Sequence, residues 1–134
     1  MATKTSQQVS AGVQPSILRV GLQRVFATFS LDASLSNGDV VQMLKVPVNA
    51  RVMDVTLGYQ SNGQGSLIVG DGIDTDRYIA ASLMSSGVSV HRMNGAFTGY
   101  LYSADDTIDV TISASAQPSS GAIYMWADIQ YAGV

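Results

Sequence analysis

The chain has 134 residues, a formal net charge of −3, no cysteine and no glutamate, and 13% charged residues beside 46% hydrophobic ones. That length suits one domain with a self-sufficient core. The acidic balance argues against a basic face that would neutralise nucleic-acid phosphates, and the lack of cysteine excludes disulfides and thiolate metal sites. The charged share is about half of the usual ~25%, so much of the surface must be Ser, Thr, Gly, Asn and Gln. Charge is depleted in this way at the cores of protein–protein interfaces, which predicts a surface partly covered by partners.

The first stretch, MATKTSQQVSAGVQPS, is polar and lacks both a hydrophobic period and the apolar core of a secretory signal, so it is expected to be an arm, loose in the free subunit. Ile17 to Leu22 is a short strand or the anchored end of that arm. The domain plan is therefore an arm over 1–22 and a β-domain over 23–134, with Ile17, Leu18, Val20 and Leu22 as candidate interface residues. No apolar run reaches the about 20 residues of a membrane-spanning helix, and no membrane partner is expected.

From Gln23 onward, strand follows strand, each bounded by turn residues. Arg24 to Leu31 places Val25, Ala27, Phe29 and Leu31 on one face, and Ser36-Asn37-Gly38-Asp39 is a turn. Val40 to Val46 is almost continuously apolar, as for a strand covered on both sides, and Pro47 ends it. Arg51 to Tyr59 sets Met53, Val55, Leu57 and Tyr59 on the core side against Val52, Asp54 and Thr56. Ser61 to Gly65 reads as a hairpin-like turn, Ser66 to Val69 as a short strand, Gly70 to Asp76 as a loop, and Arg77 to Met84 as a strand. Ser85 to Gly95 is a long loop with a brief strand over Val88 to His91, and Ala96 to Tyr102 sets Phe97 and Leu101 opposite Tyr100 and Tyr102. Thr107 to Ser113 turns Ile108, Val110 and Ile112 inward. Ala122 to Tyr131 turns Ile123, Met125, Ala127 and Ile129 one way and Tyr124, Trp126, Asp128 and Gln130 the other. About eight strands at this spacing predict an all-β, jelly-roll-like sandwich of antiparallel strands behind an extended N-terminal arm.

The residues with chemical potential are few. Asp71, Asp74 and Asp76 lie in one loop and have the oxygen ligands of a Ca²⁺ site, but no Glu follows, the spacing is not that of an EF-hand, and a polar turn with Asp76 beside Arg77 for charge balance accounts for them. His91 is the single histidine; Ser85, Ser86 and Ser89 lie near it without the framing of a strained nucleophile turn. Asp105-Asp106 reads as a turn before a strand rather than a pair of catalytic carboxylates. No catalytic residue, cofactor or metal is expected. The outward aromatics Tyr100, Tyr102, Tyr124 and Trp126 are candidate interface residues. A slip of one residue in register would instead make them core.

One stretch carries a resemblance. Gly38-Asp39-Val40, Lys45-Val46-Pro47, Ala50-Arg51-Val52, Gly63-Gln64-Gly65 and the run from Gly70-Asp71-Gly72 through Asp74-Thr75-Asp76-Arg77-Tyr78-Ile79-Ala80-Ala81 follow one another as strand, turn and strand. This pattern, with Asp106 to Thr111 and the closing strand after Gly121, resembles small structural proteins of tailed-bacteriophage heads, the decoration or capsid cement family. The resemblance implies a jelly-roll virion protein on the capsid surface, made in the host cytoplasm. It would bind the major capsid protein and itself as a dimer or trimer, and staple neighbouring capsid subunits. The alternative is a phage tail or fibre module that binds host glycans through Tyr100, Tyr102 or Trp126.

Overall fold

The apolar–polar alternation resolves into strands whose apolar sides close on one core. The computed structural model describes residues 3–6, 9, 21–32, 35–62, 66–83, 86–93, 95, 98–113 and 120–131. Among them run β1 (Thr3–Thr5), β2 (Gly21–Ser30), β3 (Val40–Val46), β4 (Ala50–Asn62), β5 (Ser66–Gly70), β6 (Ile79–Leu83), β7 (Ser86–Arg92), β8 (Tyr100–Leu101), β9 (Asp106–Ser113) and β10 (Gly121–Tyr131). One sheet has the order β1-β3-β9-β5-β6 and the other β2-β10-β4-β7, with β8 added beside β4. Because β2, β4, β7 and β10 lie in one sheet and β3, β5, β6 and β9 in the other, the chain crosses between sheets at almost every connection. This is a jelly roll. Its pairings are antiparallel except that β1 lies parallel to β3.

The core sits between the sheets. Ile108, Val110 and Ile112 of β9 face Ile123, Met125, Ala127 and Ile129 of β10, each with no exposed surface. Burying an isoleucine side chain stabilises the fold by roughly 1.5–3 kcal/mol, so these two central strands dominate the packing.

Bulges explain where simple alternation fails. Opposite β10, the register of β4 jumps between Asp54 and Val52, leaving Met53 as the extra residue. Each bulge reverses the parity beyond it, so Val52 joins Val55, Leu57 and Tyr59 in the core while Met53 is only half-buried, the reverse of the sequence expectation at these two positions. In β3 the jump leaves Met43 unpaired, and Met43 and Leu44 are both buried. The apolar run of β3 thus reflects this bulge and not cover on both faces, since Gln42 and Lys45 on the outer side are half-exposed. Ser6 satisfies the groups the bulge frees: its N–H donates to Gln42 O (2.9 Å) and its Oγ to Met43 O (2.7 Å).

Three further expectations need correction. Ser61 to Gly65 does not close a hairpin, because β4 and β5 belong to different sheets. The brief strand at Val88 to His91 extends over Ser86–Arg92, and among the described residues of the run 96–102 the strand is Tyr100–Leu101, with Ala96 and Phe97 outside the described residues. Within the stretch read as an arm, Thr3–Thr5 pair with Val40–Gln42, and β2 begins at Gly21.

Candidate interaction surfaces

Under the loop that joins β5 to β6, polar groups are gathered and consumed. Gly70 starts the loop where a Cβ would overlap the backbone carbonyl of Asp74. Asp71 turns inward and is buried. Its Oδ1 accepts the N–H groups of Ile73 (3.0 Å) and Asp74 (2.8 Å). Its Oδ2 accepts Arg77 Nε–H (2.7 Å) and the Tyr102 hydroxyl (2.8 Å). Since the Tyr102 proton goes to the carboxylate, Tyr78, 2.7 Å away, donates its own proton to Tyr102 Oη. The Arg77 guanidinium lies 3.7 Å from the centre of the Tyr100 ring, and Tyr100 meets Tyr102 edge to face at 5.1 Å.

Burial pushes the Asp71 carboxyl up, but the hydrogen bonds from Arg77, Asp74, Tyr102 and Ile73 outweigh it and hold the group below the usual carboxylate range. Burial, with the neighbouring hydroxyl and carboxylate, raises Tyr102 far above the ordinary tyrosine range. Four donors occupy the lone pairs of Asp71, so none remains for a cation, and Arg77 pairs with Asp71 rather than with its neighbour Asp76. Among the described residues, no three carboxylate or imidazole groups gather into a metal-holding cluster. His91 lies across from Leu57 and stacks on Tyr59 at 5.6 Å.

Asp109, on β9, is buried with Thr107 Oγ donating to it at 2.6 Å. Desolvation, with the nearby charges of Asp106 and Asp71, raises its carboxyl to about 6.

The outer face of the β2-β10-β4-β7 sheet is different. Register places Leu22, Gln130 and Arg51 in one row, Arg24, Asp128 and Asp54 in the next, then Phe26, Trp126, Thr56 and Arg92, then Thr28, Tyr124, Gly58 and Val90. Two aspartates directly opposite each other would repel. Here Arg24 holds Asp128 through two bonds of 2.8 and 3.1 Å, and Arg92 holds Asp54 at 2.9 Å. The hydrogen bond from Arg24 lowers the Asp128 carboxyl below its usual range. Beside this neutralised row, Phe26 and Trp126 stack 6.5 Å apart with planes at 16°. Phe26, Leu22 and Val90 are each more than half exposed.

The structure therefore divides the candidate interface residues. Leu22, Tyr124 and Trp126 share this outer face. Tyr102 is inside the subunit and Tyr100 is packed against the core, the outcome of the register alternative, because Leu101 takes the outward position and is 45% exposed. Tyr100, Tyr102 and Trp126 consequently form no common platform for a sugar. Ile17, Leu18 and Val20 lie outside the described residues. Phe26 was missed, although the alternation that turns Val25, Ala27 and Phe29 inward turns Phe26 outward. The Asp71–Arg77–Tyr102 cluster joins residues 31 positions apart and left no local signal.

No protein-family model and no curated protein matches the chain. Solved structures do. A chain of the capsid of Ralstonia phage GP4 superposes with a TM-score of 0.78 at 16% identity, covering 96% of this chain and 97% of that one. A chain of the cyanophage Pam1 capsid asymmetric unit gives 0.67 at 18% identity, covering 82% and 84%. A chain from the acid-stable capsid of Helicobacter pylori bacteriophage KHP30 gives 0.58 at 13% identity, covering 81% and 92%. At these identities the likeness establishes the jelly-roll fold.

Proposed function

We propose that this chain is a virion structural protein that binds the outside of an assembled phage capsid and staples neighbouring major capsid protein subunits, as a decoration protein. The observation that carries this reading is the end-to-end correspondence with a chain of the GP4 capsid, which leaves almost nothing of either chain unmatched. The outer sheet face supports it: both of its aspartates are held in ion pairs, and Phe26, Leu22 and Val90 stand more than half exposed beside them, which is the chemistry of a surface that a partner can cover. Repetition over an icosahedral lattice makes modest contacts collectively strong.

The test is co-sedimentation of the purified protein with empty, expanded heads that lack it. Saturable binding at a copy number matching a set of icosahedral positions is expected. Failure to sediment with such heads would contradict the reading.

A further inference from the structure

At the ends of the sandwich the connections form rims of loops, and one such rim has unusual chemistry. The β3–β4 turn, the β5–β6 loop and the β8–β9 loop meet at one end of the sandwich. Val48 N–H donates to Asp105 Oδ1 at 2.8 Å, Gly72 N–H to Asp106 Oδ2 at 3.3 Å, and the Tyr102 hydroxyl to Asp71. The β8–β9 loop is thus fastened to both of the others.

Val48, Ile73 and Leu101, at 38%, 77% and 45% exposure, are large apolar side chains on this rim, and register places Leu22 in the same row as Leu101. Ile73 is the most exposed of them, and its backbone is anchored: its own N–H is bonded to the buried Asp71 carboxylate at 3.0 Å. An apolar side chain held out in solvent on an ordered loop contributes little to the fold. It loses little conformational freedom on docking, which is how preorganised anchors gain affinity. Beside it, a depression of about 290 Å³ opens between Gly72 and Ile73 on one side and Tyr100, Tyr102, Asp105 and Asp106 on the other.

The charge of the rim selects the occupant. Of the ten aspartates in the chain, Asp71, Asp74, Asp76 and Asp105 lie in these loops and Asp106 begins β9 beside them. Arg77 neutralises Asp71, Lys45 shares a depression with Asp105 and Asp106, and the end as a whole stays acidic. A second copy docking here through the same surface would set these carboxylates against each other. Resting on the decoration reading, we infer that this loop end, with Ile73 as its anchor, is the surface that docks on the shell, and that its partner is a capsid surface with an apolar seat for Ile73 rimmed by Lys or Arg side chains. The aromatic sheet face stays available for a second contact, as a staple requires.

The experiment titrates full-length protein against expanded heads and compares Ile73→Ser, a Val48→Ser/Leu101→Ser double variant and an Asp74→Asn/Asp76→Asn double variant. Thermal melts confirm that each is folded. Ile73→Ser is expected to bind on the order of tenfold more weakly or worse, with an unchanged melting temperature, because the side chain is exposed. The Asp74/Asp76 variant is expected to bind more weakly and to lose part of the salt dependence of the wild type. Wild-type protein that binds while Ile73→Ser and Val48→Ser/Leu101→Ser bind equally well would overturn this docking surface and leave the decoration reading standing. Wild-type protein that does not bind would overturn both.

Discussion

Arg77 Nε and Asp71 Oδ2 are 2.7 Å apart, and Arg24 Nε and Asp128 Oδ1 are 2.8 Å apart, yet the two pairs belong to different kinds of region. The side chains of the first pair are 9% and 0% exposed; those of the second are 63% and 18% exposed. Beneath the β5–β6 loop the Asp71 carboxylate is used up by four donors, and the ion pair is a fixed part of the interior. On the outer sheet face the ion pairs neutralise both aspartates, while Phe26 beside them stays half exposed and Trp126 half-buried. Geometry alone does not separate the two; burial and the surrounding donors do. The difference teaches where to look for function: away from the residues with the most perturbed titration, and toward the surfaces whose groups the fold does not use.

Removing one partner of the buried pair is the strongest way to break this comparison. Asp71→Ala leaves the Arg77 charge buried and the Tyr102 and backbone donors unpaired. It is expected to cost about 3–5 kcal/mol and to lower the melting temperature by roughly 10 °C or more, measured by thermal denaturation. Arg24→Ala at the exposed pair is expected to leave the melting temperature unchanged within error, as surface pairs contribute little. Equal losses in the two variants would erase the distinction between the regions.

A second effect has the opposite sign. Asp109 is raised to about 6 in the folded state from 3.8, so the folded protein holds its proton more tightly than the unfolded chain does. Its ionisation therefore destabilises the fold as pH rises through about 6, and protonation relieves this as pH falls. Asp71, whose carboxyl is lowered, contributes stability above its ordinary range that is lost as pH falls through its folded value. Asp109→Asn keeps an acceptor for Thr107 and is expected to stabilise the protein by on the order of 2 kcal/mol at about pH 7.5, with the gain vanishing near pH 4. Melts at the two pH values check this, and a gain that does not depend on pH would contradict it.

A smaller effect on stability than those of the buried carboxylates falls on the outer face. Trp126→Ala removes the stacking partner of Phe26 and is expected to cost about 1 kcal/mol in stability, while weakening capsid binding by on the order of tenfold. A variant that loses stability but binds heads as tightly as the wild type would remove this face from the account.

Much of the fold was legible in the sequence because its driving force is local: Ile108, Val110 and Ile112 alternate without interruption, and so do Ile123 to Ile129. Parity failed at Val52 and Met53, and an apolar run misled at Met43 and Leu44, because a bulge is set by the neighbouring strand and leaves no mark on its own segment. Tyr100 and Tyr102 were ambiguous for the same reason, since a strand of two residues has too little alternation to fix its face. The outer face was half legible, through Leu22, Tyr124 and Trp126. The loop rim was not, because Asp105 and Asp106 reach turns that only the fold brings near.

The most direct measurement is a titration of the purified protein against expanded heads and, in parallel, against unassembled major capsid protein, with bound copies counted at saturation. Binding to assembled heads alone, with a plateau at an icosahedral number of copies, is the predicted result. Equal binding to unassembled subunits, or no plateau on the heads, would contradict the claim that this jelly roll staples a finished shell.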